Sequence, residues 1–138
     1  MRVKISYNLD SLESLISWLK NRTEEAGAIA VFVGAVRGTR GDEKVLRLEY
    51  EAHEELAIET MKRIIKEIKE KHKIIDAVIQ HRLGTVKVGE DVMYVLVASR
   101  HRAEAFQALS EMVERVKHEV PIWKKEVTEK GSYWVENP

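Results

Sequence analysis

Residues 27–36, GAIAVFVGAV, form a continuous apolar run, rich in β-branched residues and opened by a glycine. A run of this length with no helical period predicts a strand buried on both faces, at the centre of a sheet. Upstream, RVKISY alternates Val3, Ile5 and Tyr7 with polar residues, and DSLESLISWLKNR carries Leu12, Leu15, Ile16 and Leu19 at helical spacing, with Asp10 and Glu13 placed as a capping box. Downstream, RGTRGDEK predicts a mobile loop, and VLRLEYE a returning strand with Leu46, Leu48 and Tyr50 on one face.

A long helix follows from His53 to about Lys71, with a buried stripe of Ala57, Met61, Ile64, Ile65 and Ile68. The segment IIDAVIQHRLGTVKVGEDVMYVLVAS predicts two or three strands turning at Gly84 and at Gly89-Glu90-Asp91. A third helix spans about Arg102 to Glu119, its apolar stripe read as Phe106, Leu109, Val113, Val116 and Val120, and Pro121 ends it. The last stretch, IWKKEVTEKGSYWVE, reads as a hairpin turning at Lys130-Gly131. Strict βαβ alternation is missing, so the class is α+β: one domain over 1–138, with a mostly antiparallel sheet, three main helices and a C-terminal hairpin.

Composition narrows the chemistry. With no cysteine, a thiol nucleophile, a disulfide and a cysteine-held zinc are excluded, and any sulfur chemistry must use sulfur brought from elsewhere. The five histidines show no metal-ligand spacing with carboxylates, so no metal or cofactor is expected. The 23 basic and 23 acidic residues cancel, which argues against a bulk electrostatic grip on nucleic acid or membrane. No apolar run is long enough to span a bilayer and no signal peptide is evident, so a soluble cytoplasmic protein is expected. The charged fraction of 33%, rich in Lys and Glu, is of the thermophile kind.

Local clusters of cations matter more than net charge. Arg37 and Arg40 lie in VRGTR, where Gly34 and Gly38 permit close backbone approach to an anion; alternatively Arg37 simply ends a hydrophobic strand. Arg100, His101 and Arg102 open the third helix, whose free N–H groups suit a phosphate or carboxylate; alternatively Ser99 caps the helix and His101 is an ordinary exposed residue.

Lys117, Lys124 and Lys125 surround the wedge Val120-Pro121-Ile122-Trp123. Four positions after Val113, Lys117 falls at the border of the apolar stripe. It is either a lysine with a partly buried stem and a lowered pKa at a pocket rim, or a snorkelling surface lysine. Lys124 and Lys125 must point to opposite faces of an extended strand, so only one of them can share the side of Lys117, while Trp123 is read as core or interface. His101 and Lys117 are separated by sixteen helical steps, about 24 Å, so one small ligand could engage both only in a site built from two subunits.

Taken together, GAIAVFVGAVRG, LEYEAHEELA, HRLGTVKVGEDVMYVLVASRHRAEAF, VPIWKKE and the final WVE resemble the large, catalytic subunits of molybdopterin synthase over nearly the whole chain. The resemblance implies an α/β hammerhead-type fold and a central homodimer with a small ubiquitin-like sulfur-carrier subunit at each end. It implies a sulfurtransferase in which the carrier's C-terminal Gly-Gly thiocarboxylate enters a pocket and two sulfur transfers convert cyclic pyranopterin monophosphate into the dithiolene of molybdopterin. On this chain the essential lysine falls on Lys117, the second active-site lysine on Lys124, the anion-binding arginine on Arg37 and the His-Arg pair on His101 and Arg102. Lys125 stands where relatives often have arginine, and WVENP stands where many members continue into a further basic tail. The rival reading is a non-catalytic module binding a nucleotide or RNA through the same clusters, with Phe32, Tyr50 and Tyr94 as its available aromatics; a scaffold subunit without chemistry is a third.

Overall fold

The structure, a computed structural model, describes residues 1–135. Its elements run β1 (Arg2–Ser6), α1 (Leu12–Arg22), β2 (Ala28–Ala35), β3 (Thr39–Arg40), β4 (Glu43–Ala52), α2 (Glu54–His72), β5 (Asp76–Arg82), β6 (Gly84–Lys87), β7 (Asp91–Ser99), α3 (Arg102–Glu119), β8 (Ile122–Thr128) and β9 (Gly131–Val135). They form two sheets, one ordered β1-β5-β7-β2 and the other β3-β4-β8-β9 with β6 also on β4. Only the β1–β5 pair is parallel among the described strands, so the α+β, mostly antiparallel reading holds.

Alternation along β5 and β7 divides the core. Val78, Leu96 and Ala98 face α1, where Leu15 and Leu19 are fully buried. Ala77, Ile79, Val95 and Val97 face the other way, toward α2 and α3. On α2 the stripe Ala57, Met61, Ile64, Ile65 and Ile68 is completely excluded from solvent, as its spacing predicts. The His53 ring caps that helix by accepting from the Leu56 N–H at 3.2 Å, and Lys73 closes it in the left-handed conformation at φ 55°.

The GAIAVFVGAV run is not the centre of the sheet. β5 and β7 are the buried strands, and β2 lies at the edge, paired only with β7 in this sheet. Ala30 and Phe32 turn toward the main core, whereas Val31 and Val33 lie on the α1 side beyond the reach of that helix and stay 36% and 40% exposed. An unbroken apolar sequence here reflects an uncovered edge, not burial on both faces.

Other departures have local causes. The cap of α1 is Ser11, whose hydroxyl accepts from Ser14 N–H; Asp10 instead pairs with Lys4 at 2.8 Å and with the fully buried Gln80 at 2.7 Å. The expected loop RGTRGDEK folds into a tight β3–β4 hairpin around Gly41 at φ 56°. A register shift between Val45 and Arg47 pushes Leu46 outward, 45% exposed, so Val45 joins Leu48 and Tyr50 inside. On α3 the buried face runs through Ala105, Ala108, Met112 and Val116, which leaves Phe106 65% exposed and Leu109 and Val113 at the border. The last hairpin turns one residue earlier than expected, at Glu129-Lys130, with Thr128 opposite Gly131; the terminal ENP lies outside the described residues.

Two α3 and α2 positions separate the buried from the exposed stripe. Ile64→Ala should lower stability by about 2–5 kcal/mol through the cavity it leaves, and Phe106→Ala by under about 0.5 kcal/mol in the isolated subunit. Urea unfolding of both variants measures the contrast.

Candidate active site

A cavity of about 490 Å³ opens between the two sheets and the C-terminal end of α3. Its walls are apolar and polar in about equal measure, with Phe32, Leu48, Met93, Val116 and Ile122 on the apolar side, and Arg37, Lys117 and Lys124 bring three cations to it. Those three come from the end of β2, the last turn of α3 and the start of β8, separated by some eighty residues of chain.

Each cation is placed by a different local rule. Arg37 follows Val36, which is 3% exposed and anchored by hydrogen bonds with Glu90 and Gly89, so the arginine side chain begins where the buried strand ends. Lys117 comes one residue after the buried Val116, which turns it about 100° from the core toward the cavity mouth. Of the two readings its sequence position leaves open, the exposed one describes it: Lys117 is an exposed residue, with its Nζ 5.8 Å from the centroid of the Phe32 ring.

Lys124 is the half-buried lysine. Burial lowers its pKa below the ordinary lysine value, the nearby Lys117 and Arg37 push the same way, and Glu126 opposes them. Pleat alternation sends Lys125 to the other face, where it meets Glu49 at 3.4 Å and the Trp134 ring at 5.6 Å. Trp123 shares that outer face and is 52% exposed, so it is not part of this chain's core.

Arg40 does not join the three cations. It binds Glu126 at 3.2 Å and lies 4.4 Å from the Tyr133 ring, partly neutralising the carboxylate next to Lys124. Arg100 pairs loosely with Glu25 at 3.8 Å. His101 is the N-cap of α3 without a side-chain cap bond, and both it and Arg102 are exposed. Ser99 does not cap the helix either; its hydroxyl donates to the His101 carbonyl. The whole straight length of α3 lies between this pair and Lys117, so within one chain they do not meet.

Three polar residues of the cavity went unremarked as site residues from sequence: His81, Tyr50 and Glu126. His81, on the buried strand β5, is 7% exposed and packs edge-on against Tyr50 with ring centroids 4.9 Å apart. Its Nδ1 is 2.7 Å from the Arg82 carbonyl, which can only accept, so Nδ1 carries the proton. Burial, reinforced by Lys124, brings its pKa down to about 4. Burial and Glu126 push the Tyr50 hydroxyl up to about 12. The parity of β5 was the available signal, since His81 shares the face of Ala77 and Ile79.

Tyr50 and Tyr94 are 8% and 7% exposed, so they cannot offer the open stacking surface that an RNA-binding sheet needs. No helix among the described residues is long and apolar enough to cross a membrane. The fold is α+β, and its cavity gathers two lysines and an arginine beside apolar side chains.

Residues 5–119 match the MoaE protein family. The molybdopterin synthase catalytic subunit of Pyrococcus abyssi is 41% identical over 130 residues, covering 94% of this chain and 84% of that protein. A molybdopterin synthase crystal structure from Staphylococcus aureus superposes with a TM-score of 0.88 at 35% identity, covering 95% of this chain and 94% of the other. One chain of a Helicobacter pylori structure, a complex of subunits 1 and 2 of molybdopterin-converting factor, shares the fold at 22% identity and TM-score 0.76, over 98% and 89% of the two chains. The chain belongs to the MoaE family, the catalytic subunits of molybdopterin synthase, and so to the enzymes of molybdenum cofactor biosynthesis.

The depressed pKa of His81 has a sign that can be checked. Above about pH 6.5 the ring is neutral in folded and unfolded chains alike; between 6.5 and 4 only the unfolded chain takes up the proton, so stability falls as pH falls through that window. Urea unfolding at stepped pH should show close to one proton taken up there, and His81→Phe should remove that uptake.

Proposed function

We propose that this subunit is the sulfurtransferase half of molybdopterin synthase, acting in the cytoplasm as a homodimer that receives a small ubiquitin-like sulfur-carrier subunit. The convergence of Arg37, Lys117 and Lys124 on one half-apolar pocket of a cysteine-free chain carries this reading. A sulfur donor must come from outside, and a thiocarboxylate at the carrier's C-terminus is an anion that such a pocket would hold and desolvate.

Cyclic pyranopterin monophosphate is the proposed acceptor. In each transfer the thiocarboxylate sulfur bonds to a substrate carbon while an oxygen substituent of that carbon leaves, as water or as the oxygen of the cyclic phosphate ester, giving an acyl thioester between carrier and pterin. Water then hydrolyses that acyl bond, leaving sulfur on the pterin and an ordinary carboxylate on the carrier. Lys124, half-buried and with a lowered pKa, suits proton transfer at these steps. Lys117 at the cavity mouth suits stabilisation of the charge that develops on the acyl oxygen. Arg37 serves to hold an anion that is present throughout.

His101 and Arg102 lie at the far end of α3, and the role proposed for them is phosphate binding in the partner subunit's site. The exposed edge β2, with Val31 and Val33 uncovered, is consistent with an apolar contact between copies.

Mixing the purified subunit with thiocarboxylated carrier and cyclic pyranopterin monophosphate should yield the dithiolene product by mass spectrometry. Lys117→Ala and Lys124→Ala should each slow single-turnover transfer by roughly a hundredfold with a much smaller change in carrier affinity, while Arg37→Ala and His101→Ala mainly raise KM. Lys125→Ala and Lys130→Ala should do little. Near-normal single-turnover transfer by both lysine variants would refute their catalytic assignment. In sedimentation the subunit should run as a dimer, and a strictly monomeric active complex would refute the two-chain site.

A further inference from the structure

One polar atom of the cavity has no work in the scheme above. With its Nδ1–H committed to the Arg82 carbonyl, neutral His81 has its only lone pair on Nε2, and that nitrogen has no hydrogen-bond partner among the described residues. His81 lines the cavity, so this acceptor is open to a donor that a ligand brings there. The side chain lines the cavity although the residue is more than nine-tenths buried, and the other polar groups around it are mostly donors.

Its position relative to the cations narrows what the donor is. Tyr50 lies opposite Lys124 in the β4–β8 register, and His81 packs on the same Tyr50 ring. The imidazole and the half-buried lysine therefore flank one aromatic side chain. In an extended peptide the last amide N–H is two covalent bonds from the terminal carbonyl carbon. A chain end whose carboxylate or thiocarboxylate sits among Lys124, Lys117 and Arg37 carries one N–H donor close behind it.

We infer that His81 Nε2 accepts a hydrogen bond from the last amide N–H of the sulfur carrier's C-terminus, making His81 a positioning residue that sets the depth and rotation of the terminal thiocarboxylate. The inference rests on the carrier tail entering this cavity, as proposed above. The low imidazole pKa keeps the acceptor available across the physiological range, because a protonated ring would present a donor and a further positive charge instead.

The test compares two semisynthetic carriers, one with the natural terminal amide and one in which that N–H is replaced by an ester oxygen. Binding to the unmodified subunit should weaken roughly three- to tenfold with the ester carrier. In His81→Phe the two carriers should bind alike, and in His81→Gln, which keeps an acceptor, part of the difference should return. Independently of any variant, the 15N resonance of His81 Nε2 in the intact subunit should shift on adding the amide carrier and not the ester carrier.

Equal binding of the two carriers to the unmodified subunit would overturn the inference. So would a difference that persists in His81→Phe, or an Nε2 resonance that responds to cyclic pyranopterin monophosphate and not to the carrier. Failure of the underlying reading looks different: the carrier would then not bind, or a carrier lacking its C-terminal Gly-Gly would bind as tightly as the intact one.

Discussion

The antiparallel ladder between β4 and β8 sets the wall of the cavity that carries Lys124. Its register places Leu48 opposite Glu126, Tyr50 opposite Lys124 and Ala52 opposite Ile122, and most of these six face the pocket together. The alternate pairs, Glu49 with Lys125 and Glu51 with Trp123, face outward, where Lys125 finds Glu49 and Trp134. A slip of one residue would exchange the two sets, bringing Lys125 and Trp123 inward and expelling Lys124. The core residues Leu48 and Tyr50 resist that slip, because their burial depends on the same parity.

Around that ladder the site concentrates positive charge in a molecule whose total is zero. Lys117 and Arg37 disfavour the charged form of Lys124, and part of this repulsion is relieved by Glu126, which itself also pairs with Arg40 at 3.2 Å. The proposed capture of an anionic chain end fits this local concentration of cations. Neutral His81 fits the same pattern, since burial and, less strongly, Lys124 oppose a further proton.

Helical periodicity was legible because it repeats: the α2 stripe needed only spacing, and the bounds of α3 followed from Arg102 and Pro121. Sheet order was not, since the apolar run of β2 reads alike at an edge or a centre and only the longer buried strands β5 and β7 decide between them. Phe106 misled because large apolar residues dominate a stripe by eye, whereas α3 packs through the small Ala105 and Ala108. In the site, period two correctly separated Lys124 from Lys125. The union of Arg37 with these lysines was proposed from family resemblance, because nothing local links residues that meet only through two sheets. His81 opens one of the stretches that carry the family resemblance, yet nothing in its sequence context assigned it a role; what distinguishes it is a neighbour, Tyr50, contributed by the other sheet.

Helix α3 joins the two polar ends of the molecule as a single 18-residue rod from Arg102 to Glu119. Such a rod is a ruler with a built-in protractor: each residue adds about 1.5 Å and about 100° of rotation. Gain or loss of one residue in its exposed face would barely alter its length, yet would swing Lys117 away from the cavity while Lys124, carried by the sheet, stayed behind. Seven residues, near two full turns, would preserve the angle but move the His101–Arg102 end by about 10 Å. In this lineage, length variation should therefore be tolerated in the hairpins and excluded from α3, whose residue count is as much a part of the site as the lysine it carries.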